Sequence, residues 1–207
     1  MDIFDHTGYL EQILPEVTAM KNCPQAPQFH SEGDVFVHTK LALSSFNSTK
    51  WQEFFGDAKP SLMTIVGVLL HDIGKPSTLQ TPEKDGVDRI RTNNHDTVGA
   101  QMTAQICERL KLTSFVDPIH GQISQDDLVW IIAHHLLIAH SKNSELKPST
   151  LYRYFLLNKE RGLTYQQVMF ADLYATVTQD KLDLTQGLKN LQQKVAELSP
   201  KLTQGKL

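Results

Sequence analysis

Apolar positions recur at helical spacing along most of this chain, and the densest run is SLMTIVGVLLHDIGKP at residues 61–76. From Leu62 to Leu70 nearly every side chain is apolar, which predicts a helix buried on all sides at the centre of a domain. The run ends in the polar doublet His71-Asp72. A carboxylate placed there is taken out of water and needs a cation or several donors to offset the cost. Gly74 and Pro76 are expected to stop the helix, glycine by adopting the left-handed cap conformation and proline by breaking the hydrogen-bond ladder. His71, Asp72 and Lys75 then sit where a buried helix opens into a loop, a common place for chemistry.

The flanking pattern is also helical. Residues 8–20 form an amphipathic stretch interrupted near Pro15, followed by a proline-punctuated loop over 21–33. Asp34 can cap a helix to about Phe46 with Val35, His38, Leu41 and Ala42 on one face, so His38 points with the apolar stripe. A connection containing Trp51, Phe54 and Phe55 leads to the central run. Residues 77–92 hold a Lys-Asp-Gly turn and read as a small hairpin or ordered loop beside the doublet.

From His95 a helix runs to about Leu110, because Val98, Met102, Ile106 and Leu110 recur every fourth residue, with His95 on their side. Ser124 or Asp126 starts DDLVWIIAHHLLIAH, in which Leu128, Ile131, Ile132 and His135 share a face and His134 lies about 100° round. Residues 148–158 make a short helix opened by Pro148 and Ser149. In LTYQQVMFADLYATVTQD, Asp172 falls with Val168, Met169 and Ala175, and residues 184–198 are amphipathic through Leu188, Leu191, Val195 and Leu198, with a frayed tail beyond. The chain therefore reads as all-α, with one small hairpin at most and no repeats. Its parts are a lead-in at 1–33, a helical bundle at 34–182 and a terminal helix and tail at 183–207.

Composition narrows the chemistry. The 207 residues suffice for one domain with a sizeable core, and a formal charge of −3 gives no broad basic field for gripping nucleic acid. Cys23 and Cys107 lie far apart without a CxxC pair, and no signal peptide or membrane-length run is present, so a reducing cytoplasmic setting is expected. The nine histidines are the compositional oddity, and histidine is the commonest metal ligand.

The polar residues that fall on apolar faces are His38, His71, Asp72, His95, His134 or His135, and Asp172. Singly, each is more often a hydrogen-bonded core group than a ligand. Together they would carry a large desolvation cost unless they shared a cation, and imidazole with carboxylate suits manganese, iron, cobalt, nickel or zinc. No HExxH helix points to a metalloprotease.

In order along the chain, His38, His71-Asp72 and Asp172 resemble the H…HD…D pattern of HD-domain metal-dependent phosphohydrolases. The segments FHSEGDVFVHT, LLHDIGKP, the Asp-Gly turn, NNHDTVGAQMTAQICERLKL, IIAHH and FADLYAT are similar to the HD region of bacterial tRNA nucleotidyltransferases, the CCA-adding and poly(A) polymerase-like group, over roughly residues 8–180. The resemblance implies a helical bundle around one or two divalent ions, magnesium included. It makes His38, His71, Asp72 and Asp172 ligands of one ion. His95 and His134 or His135 would help hold a second, with Asp72 bridging. Lys75 matches the lysine of HDxGK, suited to a phosphate oxygen. Arg91 and Asn93 are candidate substrate contacts on chemical grounds, and His30 reads as loop packing rather than a ligand. The nucleotidyltransferase head, with its Gly-Ser motif and paired aspartates, has no counterpart in these residues, so nucleotide addition by this stretch alone is not expected.

The activity this implies is hydrolysis of a nucleotide or RNA phosphate ester, a phosphomonoester or a 2',3'-cyclic phosphodiester, with Asp72, Lys75 and His95 in catalytic roles. Two rivals stand beside it: a non-catalytic RNA-binding or assembly module derived from the C-terminal region of a nucleotidyltransferase, and a bundle stapled by a purely structural metal.

Overall fold

Short polar side chains set where several helices begin. Asp34 accepts a hydrogen bond from the Val37 N–H, Ser48 from Trp51, Ser61 from Thr64, Ser124 from Asp127 and Asn158 from Arg161. Each satisfies an amide that a first helical turn leaves without a partner. The computed structural model describes residues 9–137, 146–180 and 183–203. Its helices are α1 (Tyr9–Ile13), α2 (Pro15–Thr18), α3 (Val35–Ser44), α4 (Thr49–Phe55), α5 (Leu62–Leu70), α6 (Lys75–Thr78), α7 (Pro82–Asp85), α8 (His95–Leu110), α9 (Gln125–His134), α10 (Pro148–Leu151), α11 (Lys159–Ala175) and α12 (Thr185–Thr203). Strands β1 (Val116–Asp117) and β2 (Gly121–Gln122) form a two-residue antiparallel hairpin. Among the described residues no helix is long and apolar enough to cross a membrane.

Helix α5 lies between two apolar clusters. On one side Val68 joins Leu128, Ile131, Val168, Phe170, Leu188 and Leu191; on the other Leu70 joins Val17, Met20, Val35, Ile73, Ile106 and Ile132. A Cβ at Gly67 would lie 2.9 Å from Val168 Cγ2, so the absence of a side chain lets α5 and α11 approach closely. That approach brings the end of α5 near the last turn of α11.

Several expectations are corrected. Helix α5 is not buried all round: Met63, Thr64, Gly67, Val68 and Leu70 are enclosed, whereas Leu62, Ile65, Val66 and Leu69 are half-buried. Gly74 is right-handed, with φ −79°, and Pro76 sits in the first turn of α6, where no helical hydrogen bond is lost. Glycine is needed at position 74 for another reason, since a Cβ there would meet His95 O at 2.2 Å. Leu41 is exposed rather than on the inner face of α3. Helix α8 buries Gly99, Ala100, Thr103, Ile106 and Cys107, while Val98, Met102 and Leu110 are only half-buried. It packs close to Ile73 and Ile132, and close packing selects small side chains over the large ones that mark the periodicity.

The insertion at 77–92 is an ordered loop rather than a hairpin: one bridge pairs Gln80 with Arg91, and α7 lies between them. The hairpin stands instead at 116–122, where no element was expected. The stretch expected as one helix from residue 148 is α10 followed by a π-helical turn, Tyr152–Leu156. Helix α9 stops at His134, His135 and Leu136 form a turn, and the expected continuation from residue 138 to His140 lies outside the described residues. Leu188, Leu191, Val195 and Leu198 of α12 are buried as their spacing predicts.

Candidate metal centre

Five helices deliver polar side chains to one buried point. His38 lies midway along α3, His71 and Asp72 follow α5, His95 opens α8, His135 follows α9, and Asp172 occupies the last turn of α11. His38 Nε2 is 3.1 Å from Asp172 Oδ1, 3.3 Å from His71 Nε2 and 3.8 Å from Asp72 Oδ2. His71 Nε2 lies 3.3 Å from Asp72 Oδ2 and 3.8 Å from Asp172 Oδ1. On the other side of the same carboxylate, Asp72 Oδ1 is 3.4 Å from His95 Nε2 and 3.7 Å from His135 Nε2, and those two nitrogens are 3.3 Å apart. Asp72 therefore offers one oxygen to each of two nests of ligand atoms.

The other nitrogen of each ring decides what these atoms can do. His71 Nδ1 donates to Val68 O, His95 Nδ1 to Thr92 O and His135 Nδ1 to Ile132 O, each at 2.7 Å. With the proton held on Nδ1, a neutral ring presents an Nε2 lone pair, and two lone pairs 3.3 Å apart repel unless a cation lies between them. Two ligands about 2.1 Å from one ion, at tetrahedral or octahedral angles, are roughly 3.0–3.4 Å apart. Five of the eight separations, at 3.1–3.4 Å, fall in that range, and the other three are 3.7–3.8 Å. Asp72 Oδ2 is also fully enclosed without a hydrogen bond of normal geometry, although Lys75 Nζ stands 2.7 Å away. The residues fit a divalent ion in each nest.

Mutual electrostatics match this design. Burial opposes ionisation of Asp72, but the His71 ring and the Lys75 ammonium hold its carboxyl well below the usual range. Burial likewise opposes charge on Asp172, and His38 and His71 outweigh it and hold its carboxyl low. Burial disfavours imidazolium at His38, yet hydrogen bonds to Asp172 and Glu32 raise it to about 9. His135 is pushed down chiefly by burial, which keeps its ring in the neutral, ligating form.

Glu32 was not singled out from the sequence. Its Oε1 accepts from His38 Nδ1 at 2.7 Å and His30 Nδ1 at 2.8 Å, and its Oε2 accepts from Val177 N at 2.9 Å. No periodicity marks an acid in a Ser-Glu-Gly loop. The available signal was its place six residues before a histidine that faces the core. Gln25 is a second addition: its Oε1 accepts from buried Lys75 at 2.7 Å.

The remaining candidates separate. His134 is not brought to the centre: its Nδ1 donates to Trp130 O at 2.7 Å and its ring stacks on Trp130 at 4.5 Å. The turn after α9 therefore points His135, and not His134, towards the centre. Arg91 pairs with Asp88, and both Arg91 and Asn93 line a cleft of about 310 Å³ shared with Lys75, His95, Arg89 and Phe29. His30 lines it too, while its Nδ1 is engaged with Glu32. A larger cavity of about 980 Å³, between Trp51, Lys59 and His120, shares no residue with the centre.

The family model described as HD domain matches residues 47–176, which take in His71, Asp72, His95, His135 and Asp172 and begin after His38. The chain is similar to the Multifunctional CCA protein of Acinetobacter baumannii (strain SDF), 28% identical over 146 residues, or 70% of this chain and 29% of that protein. It is also similar to the Multifunctional CCA protein of Halorhodospira halophila (strain DSM 244 / SL1), 30% identical over 155 residues, or 75% of this chain and 31% of that one. The chain thus spans less than a third of the length of these relatives.

Proposed function

The chain belongs to the HD domain family, and from that premise we propose that it is a metal-dependent phosphohydrolase acting on a nucleotide or RNA phosphate ester, either a phosphomonoester or a 2',3'-cyclic phosphodiester. The observation that carries the reading is the pair of ligand nests joined by one carboxylate, with each neighbouring Nε2 turned towards an oxygen of Asp72. His38, His71, Asp72 and Asp172 hold one divalent ion, and His95, His135 and Asp72 a second. Manganese, iron, cobalt, nickel, zinc and magnesium are the candidates. Bound there, such an ion lowers the pKa of a water and polarises a phosphoryl oxygen.

The cleft supplies the rest from the chain's own residues. Lys75, Arg89 and Arg91 give it positive charge against a phosphate, and Asn93 adds an amide donor beside them. The Lys75 ammonium, already at Asp72 Oδ2, is placed to meet a phosphoryl oxygen next to the carboxylate. His95 turns Nε2 to the nest and lines the cleft, so it can hold the second ion or, when protonated, donate to the leaving oxygen.

The test is metal content of the purified protein beside phosphatase and 2',3'-cyclic phosphodiesterase assays with manganese, nickel, cobalt and magnesium in turn. Wild type should hold metal and turn over. Asp72→Ala should lose both, and metal-dependent turnover retained by a purified Asp72→Ala protein refutes the assignment. A second reading, a non-catalytic RNA-binding or assembly module, draws support from Lys75, whose ammonium is committed to Asp72 and Gln25. That reading expects bound metal without turnover on any phosphate ester.

A further inference from the structure

Three rings of the centre orient themselves through their own local chain. His71, His95 and His135 each give Nδ1 to the carbonyl three residues back, a bond that the turn at a helix end supplies. His38 differs. It lies inside α3, and its Nδ1 bonds no carbonyl of its own helix. It goes instead to the Glu32 carboxylate, 2.7 Å away.

We infer that Glu32 is a positioning residue of the metal centre, fixing His38 as a ligand while tying the loop before α3 to the chain that follows Asp172. The inference rests on the metal-centre reading above. The Glu32 side chain is 1% exposed, and both of its oxygens accept hydrogen bonds. Oε1 bridges His38 and His30, and Oε2 takes the Val177 N–H, just beyond the end of α11. Ser31 doubles the tie, because its N–H and its hydroxyl both donate to Val177 O at 2.8 Å. The loop at 30–34 is thereby fastened to the segment after α11, and the facing distance between His38 Nε2 and Asp172 Oδ1 depends on that fastening.

A carboxylate on the outer nitrogen also raises the basicity of the ring, which a neutral carbonyl does less. His38 is therefore the most strongly supported of the four ring ligands. A third ion among His30, Glu32 and His38 is geometrically conceivable, since their atoms converge. It would require His38 to give up its Nδ1 proton while Nε2 serves the first nest, so the hydrogen-bonded role prevails.

The experiment is calorimetric titration of Mn²⁺ or Ni²⁺ into the full chain, with circular dichroism to confirm folding and the d–d spectrum of the Co²⁺ form as a second readout. Glu32→Ala should weaken metal binding about 10- to 100-fold, the range for loss of such an outer partner. Glu32→Gln keeps the volume and one acceptor for His38, but its NH₂ faces the Val177 N–H. It should show a smaller loss and altered Co²⁺ bands. His30→Ala leaves the His38 bond intact and should stay within about threefold of wild type. If Glu32→Ala does not fold, Glu32→Gln decides. Folded variants binding Mn²⁺ and Ni²⁺ within twofold of wild type, with unchanged Co²⁺ bands, overturn the inference. A wild-type protein that binds no divalent ion overturns the metal-centre reading itself.

Discussion

Replacing Gly74 with alanine tests whether the approach of α8 to the turn after α5 builds the second nest. The added Cβ would lie 2.2 Å from His95 O, 2.7 Å from Gly99 N and 3.0 Å from His95 C. Carbon and carbonyl oxygen rest roughly 3.3 Å apart, so about 1 Å of overlap must be relieved. Every atom struck belongs to the backbone of α8, and no rotamer change can yield. Either α8 moves or the turn carrying Asp72 does. Overpacking of this kind costs typically 1–3 kcal/mol, and a backbone collision should sit at the upper end, about 3 kcal/mol.

The same movement acts on the centre. His95 Nε2 now stands 3.4 Å from Asp72 Oδ1 and 3.3 Å from His135 Nε2. Two ligands of one ion with bonds of about 2.1 Å cannot be more than roughly 4.2 Å apart. A displacement of about 1 Å carries His95 past that limit. None of the first nest's ligands comes from α8, so when α8 is the part that yields the first nest should survive. Denaturant unfolding and metal titration of Gly74→Ala should therefore report lower stability and loss of one binding event with the other kept. A variant within about 0.5 kcal/mol of wild type that binds the same number of ions would refute the reasoning.

The histidine pair offers a cleaner contrast: His135→Ala should weaken metal binding, His134→Ala should leave it within about twofold, and equal effects in a titration would contradict the assignment. Metal affinity should depend on pH through His38, whose imidazolium must give up a proton to ligate; from pH 6.5 to about 9 affinity should rise by up to tenfold per pH unit, and a flat profile would count against it. With chelator present the sign for stability reverses. Protonated His38 stabilises the fold fully below pH 6.5, and that contribution, on the order of 3 kcal/mol, is lost as pH rises through about 9. Urea midpoints measured in chelator should fall over that window in wild type and not in His38→Gln.

The sequence made the centre legible because burial of charge is costly and therefore conspicuous. His71-Asp72 closes an apolar run, and His38, His135 and Asp172 share faces with aliphatic neighbours, so periodicity alone brought them inward. Periodicity also placed His134 off that face, where Trp130 holds it. Glu32 was illegible because its burial comes from Val177, 145 residues away, and nothing in a Ser-Glu-Gly loop records that contact. Gly74 was noticed for the wrong reason: a glycine after an apolar helix reads as a cap, whereas its requirement arises from a carbonyl on another helix. On α8 the large apolar residues marked a face that close packing had given to glycine, alanine and threonine. The hairpin at 116–122 has strands of two residues, too short for any alternation to register.

His38 and Asp172 meet across 134 residues of chain, and Glu32 and Val177 close the same circuit from outside. An ion gripped between α3 and α11 would act as a clasp that fastens only when nearly the whole bundle has assembled. Fragments and partly folded chains would lack the first nest, so tight metal retention would itself report completed folding. By mass action a metal at one hundred times its dissociation constant would add about 2.7 kcal/mol to the folded state. Chelators would then do more than silence the centre, because they would loosen the bundle and expose it to proteases.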